Sequence, residues 1–202
     1  MRESGILMHI TSLPAPYGIG TMGKDAYAFV DFLVRAGQRY WQILPLTPTG
    51  YGDSPYQSLG ACAGNHYLID LDRLADEGLL KKEEIQDIPW GSNPARVDFG
   101  AMYAHRMNVL RQAFQRFTPD GAYETFVEQN RSWLEDYALF TALKDTLGGK
   151  PWLEWPEALR LRKADALTEK RRELSDEIRL QYFVQYEFDR QWKALRSYAN
   201  AK

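Results

Sequence analysis

The side chains best suited to chemistry lie in one short stretch, where tyrosines alternate with glycine, aspartate and serine. The stretch reads Gly50-Tyr51-Gly52-Asp53-Ser54-Pro55-Tyr56. A tyrosine offers a flat apolar face with a polar tip, and glycine lets the backbone come close to a ligand. This composition predicts a site for a carbohydrate- or nucleotide-sized ligand, held by stacking and hydrogen bonds. The alternative is an ordinary Pro-Gly turn with exposed tyrosines.

Two strands and one helix are expected to position this stretch. Gly5 to Ile10 and Tyr40 to Leu44 are apolar runs that predict buried strands. Between them, Gly23 to Ala36 has its apolar residues at helical spacing. A strand, a helix and a strand with short connections predict a parallel βαβ unit. Functional loops of such units leave the C-terminal ends of the strands, where the loops beginning at Thr11 and Thr47 both lie.

The chain after Asn65 is predicted to be largely helical, with no internal repeat. The predicted pieces are an extended run over 66–71, a short helix over 71–77, a loop over 81–96, and helices over 99–117, 123–146 and 164–199. On the helix over 99–117, one face is expected to be apolar. Its members are Tyr103, Met107, Leu110, Phe114 and Phe117.

Composition excludes several classes of partner. With 202 residues, 45% hydrophobic residues and a net charge of -2, the chain can build a core but has no charge excess for nucleic acid or anionic lipid. No apolar run is long enough for a membrane helix, so no membrane partner is expected and the predicted location is cytoplasmic. The single cysteine, Cys62, cannot form an internal disulfide and is predicted to be a small buried residue.

Metal and cofactor chemistry are not predicted either. The three histidines, His9, His66 and His105, lack the spacing of metal ligands, and we expect no cofactor. His9 sits at the end of the first predicted strand. It is expected either to line a cleft or to form a hydrogen bond with the next loop.

Several motifs, in the same order along the chain, carry a family resemblance. They are the runs 9–20 (HITSLPAPYGIG), 40–58 (YWQILPLTPTGYGDSPYQS), 63–65 (AGN) and 133–140 (WLEDYALF). With them the chain resembles the N-terminal part of bacterial 4-alpha-glucanotransferases, also called amylomaltases. The resemblance implies an α/β fold: the opening βαβ part of an α-amylase-like (β/α)8 TIM barrel, incomplete in this chain, with a largely helical inserted subdomain.

The resemblance also implies a division of the chain and a reaction. Residues 1–64 would hold the first two strands, the first helix and the substrate loop. Residues 65–163 would form the helical insertion, and residues 164–202 would form a long helix returning to the barrel. The implied reaction moves segments of α-1,4-glucan between maltooligosaccharides by a retaining double displacement. Its partners are a maltooligosaccharide or α-1,4-glucan donor and a sugar acceptor. The oligomeric state is left open.

Site residues follow from the same resemblance. Tyr56 matches the family tyrosine that stacks on the sugar at the cleavage subsite, and Gly52, Asp53 and Ser54 match the loop around it. No catalytic residue is assigned in this chain, because the nucleophile and the acid/base are expected beyond Lys202. The chain alone is therefore expected to be inactive.

Tyr51 and Tyr103 match positions that the family uses for an accessory glucan contact. Tyr103 fits equally well into the apolar face of its helix. Two rival functions stay open at this point: a non-catalytic carbohydrate-binding module, which the same tyrosines would serve, and a helical interaction protein, in which the inserted helices would be the functional part.

Overall fold

The computed structural model describes residues 2–50, 52–93 and 95–202, and most of them lie in helices. The strands are β1 (Gly5–Leu7) and β2 (Tyr40–Gln42). The α-helices are α1 (Lys24–Arg35), α2 (Leu71–Asp76), α3 (Glu83–Gln86), α4 (Phe99–Arg116), α5 (Gly121–Thr146), α6 (Glu157–Arg160), α7 (Ala164–Glu173) and α8 (Ser175–Asn200). Short 3-10 helices occupy Ile10–Ser12, His66–Leu68 and Trp152–Glu154.

The predicted βαβ unit is confirmed. Strands β1 and β2 are parallel, and α1 connects them. The paired residues are Gly5 with Tyr40, Ile6 with Trp41, and Leu7 with Gln42. Helix α1 buries Ala26, Val30 and Leu33, which recur at helical spacing. It ends at Arg35, two residues before Gly37, whose φ of +67° is a backbone conformation that glycine adopts without strain.

Both strands are shorter and more exposed than predicted. They end at Leu7 and Gln42, and the exposed fractions of Leu7 and Tyr40 are 57% and 60%. The two faces of the sheet differ, since Trp41 contacts Phe29 of α1 with ring centres 5.0 Å apart. The prediction that both strands are buried is therefore wrong for the described chain, which covers the sheet on one side.

The core around the βαβ unit joins residues that are far apart in the sequence. Its buried members are Ile10, Leu13, Met22, Ala26, Val30, Leu68 and Leu195. Trp41 and Trp192 are partly buried against this cluster. The loop after β1, the turn at residues 66–68 and the end of α8 are thus held to one helix, α1, by apolar burial.

Gly64 is a position where this packing leaves no room for a side chain. A Cβ atom there would lie 2.0 Å from Cδ1 of Phe188 on α8. Gly64→Ala should therefore destabilise the chain by about 2 kcal/mol, because the aromatic ring must move out of its packed position. Thermal unfolding followed by circular dichroism measures this. Gly121→Ala is the matched control, since its Cβ would meet nothing within 4 Å; equal melting temperatures for the two variants would contradict the prediction.

Helix α4 buries a different face from the one predicted. The buried residues are Met102, Arg106, Val109, Leu110 and Ala113. Tyr103, placed by the sequence pattern on the apolar face, is 57% exposed. The predicted apolar face left out Arg106, which is a polar residue type, whereas its side chain is fully buried. Including Arg106 turns the buried face by about one residue along the helix.

Four smaller predictions are also corrected. The helix predicted over 164–199 is broken at Leu174 into α7 and α8. The loop predicted over 81–96 contains α3, and the run predicted to be extended from His66 begins with a 3-10 helix, for which Asn65 is the N-cap. Cys62, predicted to be buried, is exposed. It follows Pro- and Gly-rich turns rather than a strand, so no sheet covers it.

The chain divides into two compact units. One comprises Met1–Thr118 with Glu187–Lys202, and the other comprises Pro119–Tyr186. The second unit has a core of its own from α5, α6, α7 and the first turns of α8, in which Phe140 stacks on Trp155 with ring centres 5.3 Å apart. Within the described ranges, none of the helices combines the length and apolar character needed to cross a bilayer.

Candidate functional site

The tyrosine-rich stretch forms a folded loop after β2. We call it the tyrosine loop, residues Thr49 to Ser58; Tyr51, a predicted site residue, lies outside the described residues. Its ends form an isolated antiparallel bridge between Thr49 and Ser58. Inside it, the amides of Gly50, Asp53 and Gln57 donate to the carbonyls of Gln57, Gly50 and Ser54 at 3.0–3.1 Å. The loop is thus held by its own backbone hydrogen bonds.

Tyr56 is presented outward by this loop. Its side chain is 75% exposed, and its amide donates to Oγ of Ser54 at 3.3 Å. Pro55, the preceding residue, has a fixed φ and restricts Ser54, which stiffens the backbone just before the ring. A side chain this exposed contributes little to packing, so the ring is available to a ligand.

Asp53 and Gly52 form the tight part of the loop. Their φ angles are +56° and +91°, in the left-handed region. Aspartate tolerates this region better than most residues, and glycine adopts it freely. Burial raises the pKa of both Tyr67 and Tyr103, and the negative charge of Asp53 raises both further.

Tyr103 comes to the tyrosine loop from α4. Its hydroxyl donates to the carbonyl of Gly50 at 3.4 Å, across 53 residues of sequence. Its ring meets that of Tyr67 edge-on, with centres 6.2 Å apart, and is otherwise open to solvent. Burial and the Asp53 carboxylate raise the pKa of the Tyr103 hydroxyl, which therefore keeps its proton and acts as a donor. The structure thus brings together Tyr103, Gly50 and Asp53.

His9 forms a hydrogen bond, but its partner lies at the end of the second predicted strand rather than in the next loop. Its Nδ1 accepts a hydrogen bond from the backbone amide of Leu44 at 3.3 Å, just after β2. Burial lowers the pKa of His9, so the ring is held in the neutral form that can accept this bond. His9 therefore links the ends of the two strands.

Arg106 supports the backbone at Tyr67, against which Tyr103 packs, and was not predicted from the sequence. Its Nη2 donates to the carbonyls of Tyr67, at 3.0 Å, and Ile69. Its guanidinium lies 5.9 Å from the centre of the Trp90 ring, and burial lowers its pKa to about 10. The available signal was its position, four residues after Met102 and four before Leu110, both apolar and buried.

A second buried polar group joins the first loop to the end of the chain. The Asp70 carboxylate accepts from the Thr21 hydroxyl at 2.6 Å and from the amide of Arg73 at 2.9 Å. The Asp70 amide donates to Oε1 of Gln191 on α8 at 2.7 Å. Because each polar group has a partner, this buried network can stabilise one arrangement of the three segments.

Two carboxylates, those of Glu77 and Glu187, share one arginine as a partner. Arg190 contacts both, with Nη2 2.5 Å from an oxygen of Glu77 and 2.7 Å from one of Glu187. Burial raises the pKa of Glu187, whereas at Glu77 the hydrogen bonds and charge of Arg190 outweigh burial and lower the pKa. A shared arginine makes this a structural ion-pair network rather than an open acid/base pair. Among the described residues, no group of His, Cys, Asp and Glu could hold a metal ion.

Comparison with known proteins identifies the family. A family model described as 4-alpha-glucanotransferase matches residues 8–202. The 4-alpha-glucanotransferase of Streptococcus pneumoniae serotype 4 is 48% identical over 98% of this chain and 40% of its own length. The 4-alpha-glucanotransferase of Thermus thermophilus is 49% identical over 99% of this chain and 40% of its own length. The chain thus spans about 40% of these curated relatives.

Solved structures agree with this. Amylomaltase from Streptococcus agalactiae, in complex with acarbose, is 45% identical, with a TM-score of 0.95 over the whole of this chain and 41% of that one. Amylomaltase from Corynebacterium glutamicum, 17% identical, shares the fold with a TM-score of 0.73 over 98% of this chain and 28% of its own. From the family model, the relatives and these structures together, we conclude that the chain belongs to the 4-alpha-glucanotransferase family.

Proposed function

We propose that this chain is the glucan-positioning part of a 4-alpha-glucanotransferase. The observation that carries the proposal is the exposed ring of Tyr56, held by a folded loop that follows a parallel strand. Barrel enzymes build their sites from such loops. A flat ring there can stack on the apolar face of a glucose unit and orient it for attack.

The architecture we propose is the opening βαβ part of a (β/α)8 barrel. Residues 1–64 supply its first two strands and the tyrosine loop, residues 65–163 form the helical insertion, and residues 164–202 return toward the barrel. The parallel pairing of β1 with β2 and the likeness to amylomaltase structures support this division. We also expect a cytoplasmic location, although the Solanum tuberosum relative is described as chloroplastic/amyloplastic.

The proposed reaction is a retaining double displacement. A carboxylate attacks the anomeric carbon, while a carboxylic acid protonates the leaving oxygen; the acceptor hydroxyl then attacks the glycosyl intermediate and gives its proton to the same residue. We assign neither carboxylate to this chain, and by family resemblance expect both beyond Lys202. Tyr56, with Gly52, Asp53 and Ser54 around it, would bind and orient the sugar.

The substrates we propose are an α-1,4-glucan or maltooligosaccharide donor and a sugar acceptor. The Streptococcus agalactiae relative was solved with acarbose, which supports oligosaccharide binding in the family. The accessory contact proposed for Tyr103 fits an exposed ring beside the loop. The same is proposed for Tyr51 by resemblance alone.

One experiment separates this proposal from its rivals. The 202-residue chain should bind maltoheptaose but release no glucose from maltotriose above a blank without protein, because neither catalytic carboxylate is assigned to it. A chimeric enzyme, made of this chain followed by the remaining part of Streptococcus agalactiae amylomaltase, should transfer glucosyl units. Isothermal titration and a coupled glucose assay give the two readouts.

Each alternative has its own outcome in that experiment. Glucose release by the 202-residue chain would overturn the assignment of the carboxylates. Binding together with an inactive but folded chimera would favour a carbohydrate-binding module. Absence of binding in both proteins would favour a helical interaction protein.

A further inference from the structure

The side chain of Tyr103 has two ends in different surroundings. Its ring is 57% exposed, whereas its hydroxyl donates to the Gly50 carbonyl of the tyrosine loop at 3.4 Å. We propose that Tyr103 is a positioning residue, whose hydroxyl anchors the tyrosine loop to α4 and thereby fixes where Tyr56 is presented. This inference rests on the proposed function for the role of Tyr56, but the anchoring itself does not depend on any sugar.

The donor and its acceptor fit this role. The hydroxyl donates to the Gly50 carbonyl at 3.4 Å, and the Asp53 carboxylate, together with burial, favours the protonated form that can donate. Gly50 and Asp53 belong to the same tight turn, which the Asp53 amide closes by donating to the Gly50 carbonyl at 3.1 Å. The bond from Tyr103 therefore holds this turn to the helix.

The backbone of the turn needs such an anchor. Gly52 and Asp53, adjacent in the chain, both have positive φ angles, +91° and +56°. Conformations of this kind persist where surrounding contacts hold them in place. The edge-on packing of the Tyr103 ring on the largely buried Tyr67, 6.2 Å between centres, fixes the position from which the hydroxyl donates.

The loop transmits this anchoring to Tyr56. The Gln57 amide donates to the Ser54 carbonyl, and the Gly50 amide donates to the Gln57 carbonyl. Gly50 is thus bonded both to the anchor and to the residue after Tyr56. Because the Tyr56 ring is 75% exposed, its position is set by this backbone more than by packing of the ring.

Amide hydrogen exchange of the 202-residue chain, followed by NMR without any sugar, tests the anchor. In Tyr103→Phe, the amides of Gly50, Asp53 and Gln57 should exchange about tenfold faster, because one hydrogen bond that holds the loop closed is lost. Asp53→Gly removes the side chain beside the hydroxyl, frees the backbone of the turn and should act in the same direction. Asp53→Asn keeps a polar side chain of the same shape and tolerates positive φ, so its rates should stay close to those of the wild type.

Tyr40→Phe is the matched control. Tyr40 is 60% exposed, and its hydroxyl also donates a hydrogen bond, to the Glu3 carboxylate. Its loss should leave the three loop amides unchanged. Wild-type exchange of the three loop amides in Tyr103→Phe would overturn the proposal. If Tyr103→Phe also speeds amide exchange within α4, the Asp53→Gly variant becomes the deciding test. Unchanged exchange of the three loop amides in Asp53→Gly would then overturn the proposed anchor. A failed transfer assay affects none of these readouts.

Discussion

Replacing Tyr56 with alanine in the chimeric enzyme should lower glucan transfer about a hundredfold and leave the melting temperature unchanged. The loss corresponds to about 2.7 kcal/mol of transition-state stabilisation, which is reasonable for one contact that orients the reacting sugar. The melting temperature should hold because the ring is 75% exposed in this chain and so contributes little to its core. A coupled glucose assay and differential scanning calorimetry on one preparation give both values.

Tyr56→Phe separates stacking from hydrogen bonding. It keeps the flat face and removes the hydroxyl, so its loss of activity should be much smaller than that of Tyr56→Ala. Unchanged transfer in a well-folded Tyr56→Ala enzyme would end the stacking hypothesis. A parallel fall of activity and melting temperature would instead make Tyr56 a packing residue.

The parts of the fold that the sequence predicted well depend on local patterns. Helix α1 shows the periodicity of its buried residues, and the two glycine-rich boundaries around it are visible in the chain. The tyrosine loop was predicted for a similar reason, since Pro45 and Pro48 lie between the second strand and the loop and prevent a strand from continuing through them. Such features need no knowledge of distant residues.

The parts that the sequence did not predict depend on distant partners. Tyr103 meets Gly50 across 53 residues, and no spacing in the chain indicates that contact. The exposure of β1 and β2 depends on which other elements cover them, and the split of the last helix at Leu174 has no proline or glycine to mark it. Periodicity within one segment cannot give these results.

Arg106 shows the limit most clearly. Arginine is almost never fully buried without partners, so the predicted apolar face of α4 left it out and was displaced by about one residue. Its partners are backbone carbonyls of Tyr67 and Ile69, which any sequence could supply. The apolar residues four positions away on either side were therefore the one local indication of its burial.

This arrangement leads to the largest stability effect that we expect. Arg106→Ala should destabilise the chain by about 3–5 kcal/mol, because it opens a cavity and removes the donor to two buried carbonyls. Arg106→Met fills most of the space, so it should destabilise the chain less than Arg106→Ala. It should still be less stable than the wild type, because the two carbonyls lose their donor. Urea denaturation followed by circular dichroism measures both variants.

Arg116 on the same helix provides the control. It pairs with Glu84 at 2.6 Å at the surface, and such exposed ion pairs contribute little to stability. Arg116→Ala should therefore cost far less than Arg106→Ala. If Arg106→Met is as stable as the wild type, then the carbonyls of Tyr67 and Ile69 do not need the arginine. The ordered position of Tyr67, against which Tyr103 packs beside the tyrosine loop, would then have to come from apolar packing alone.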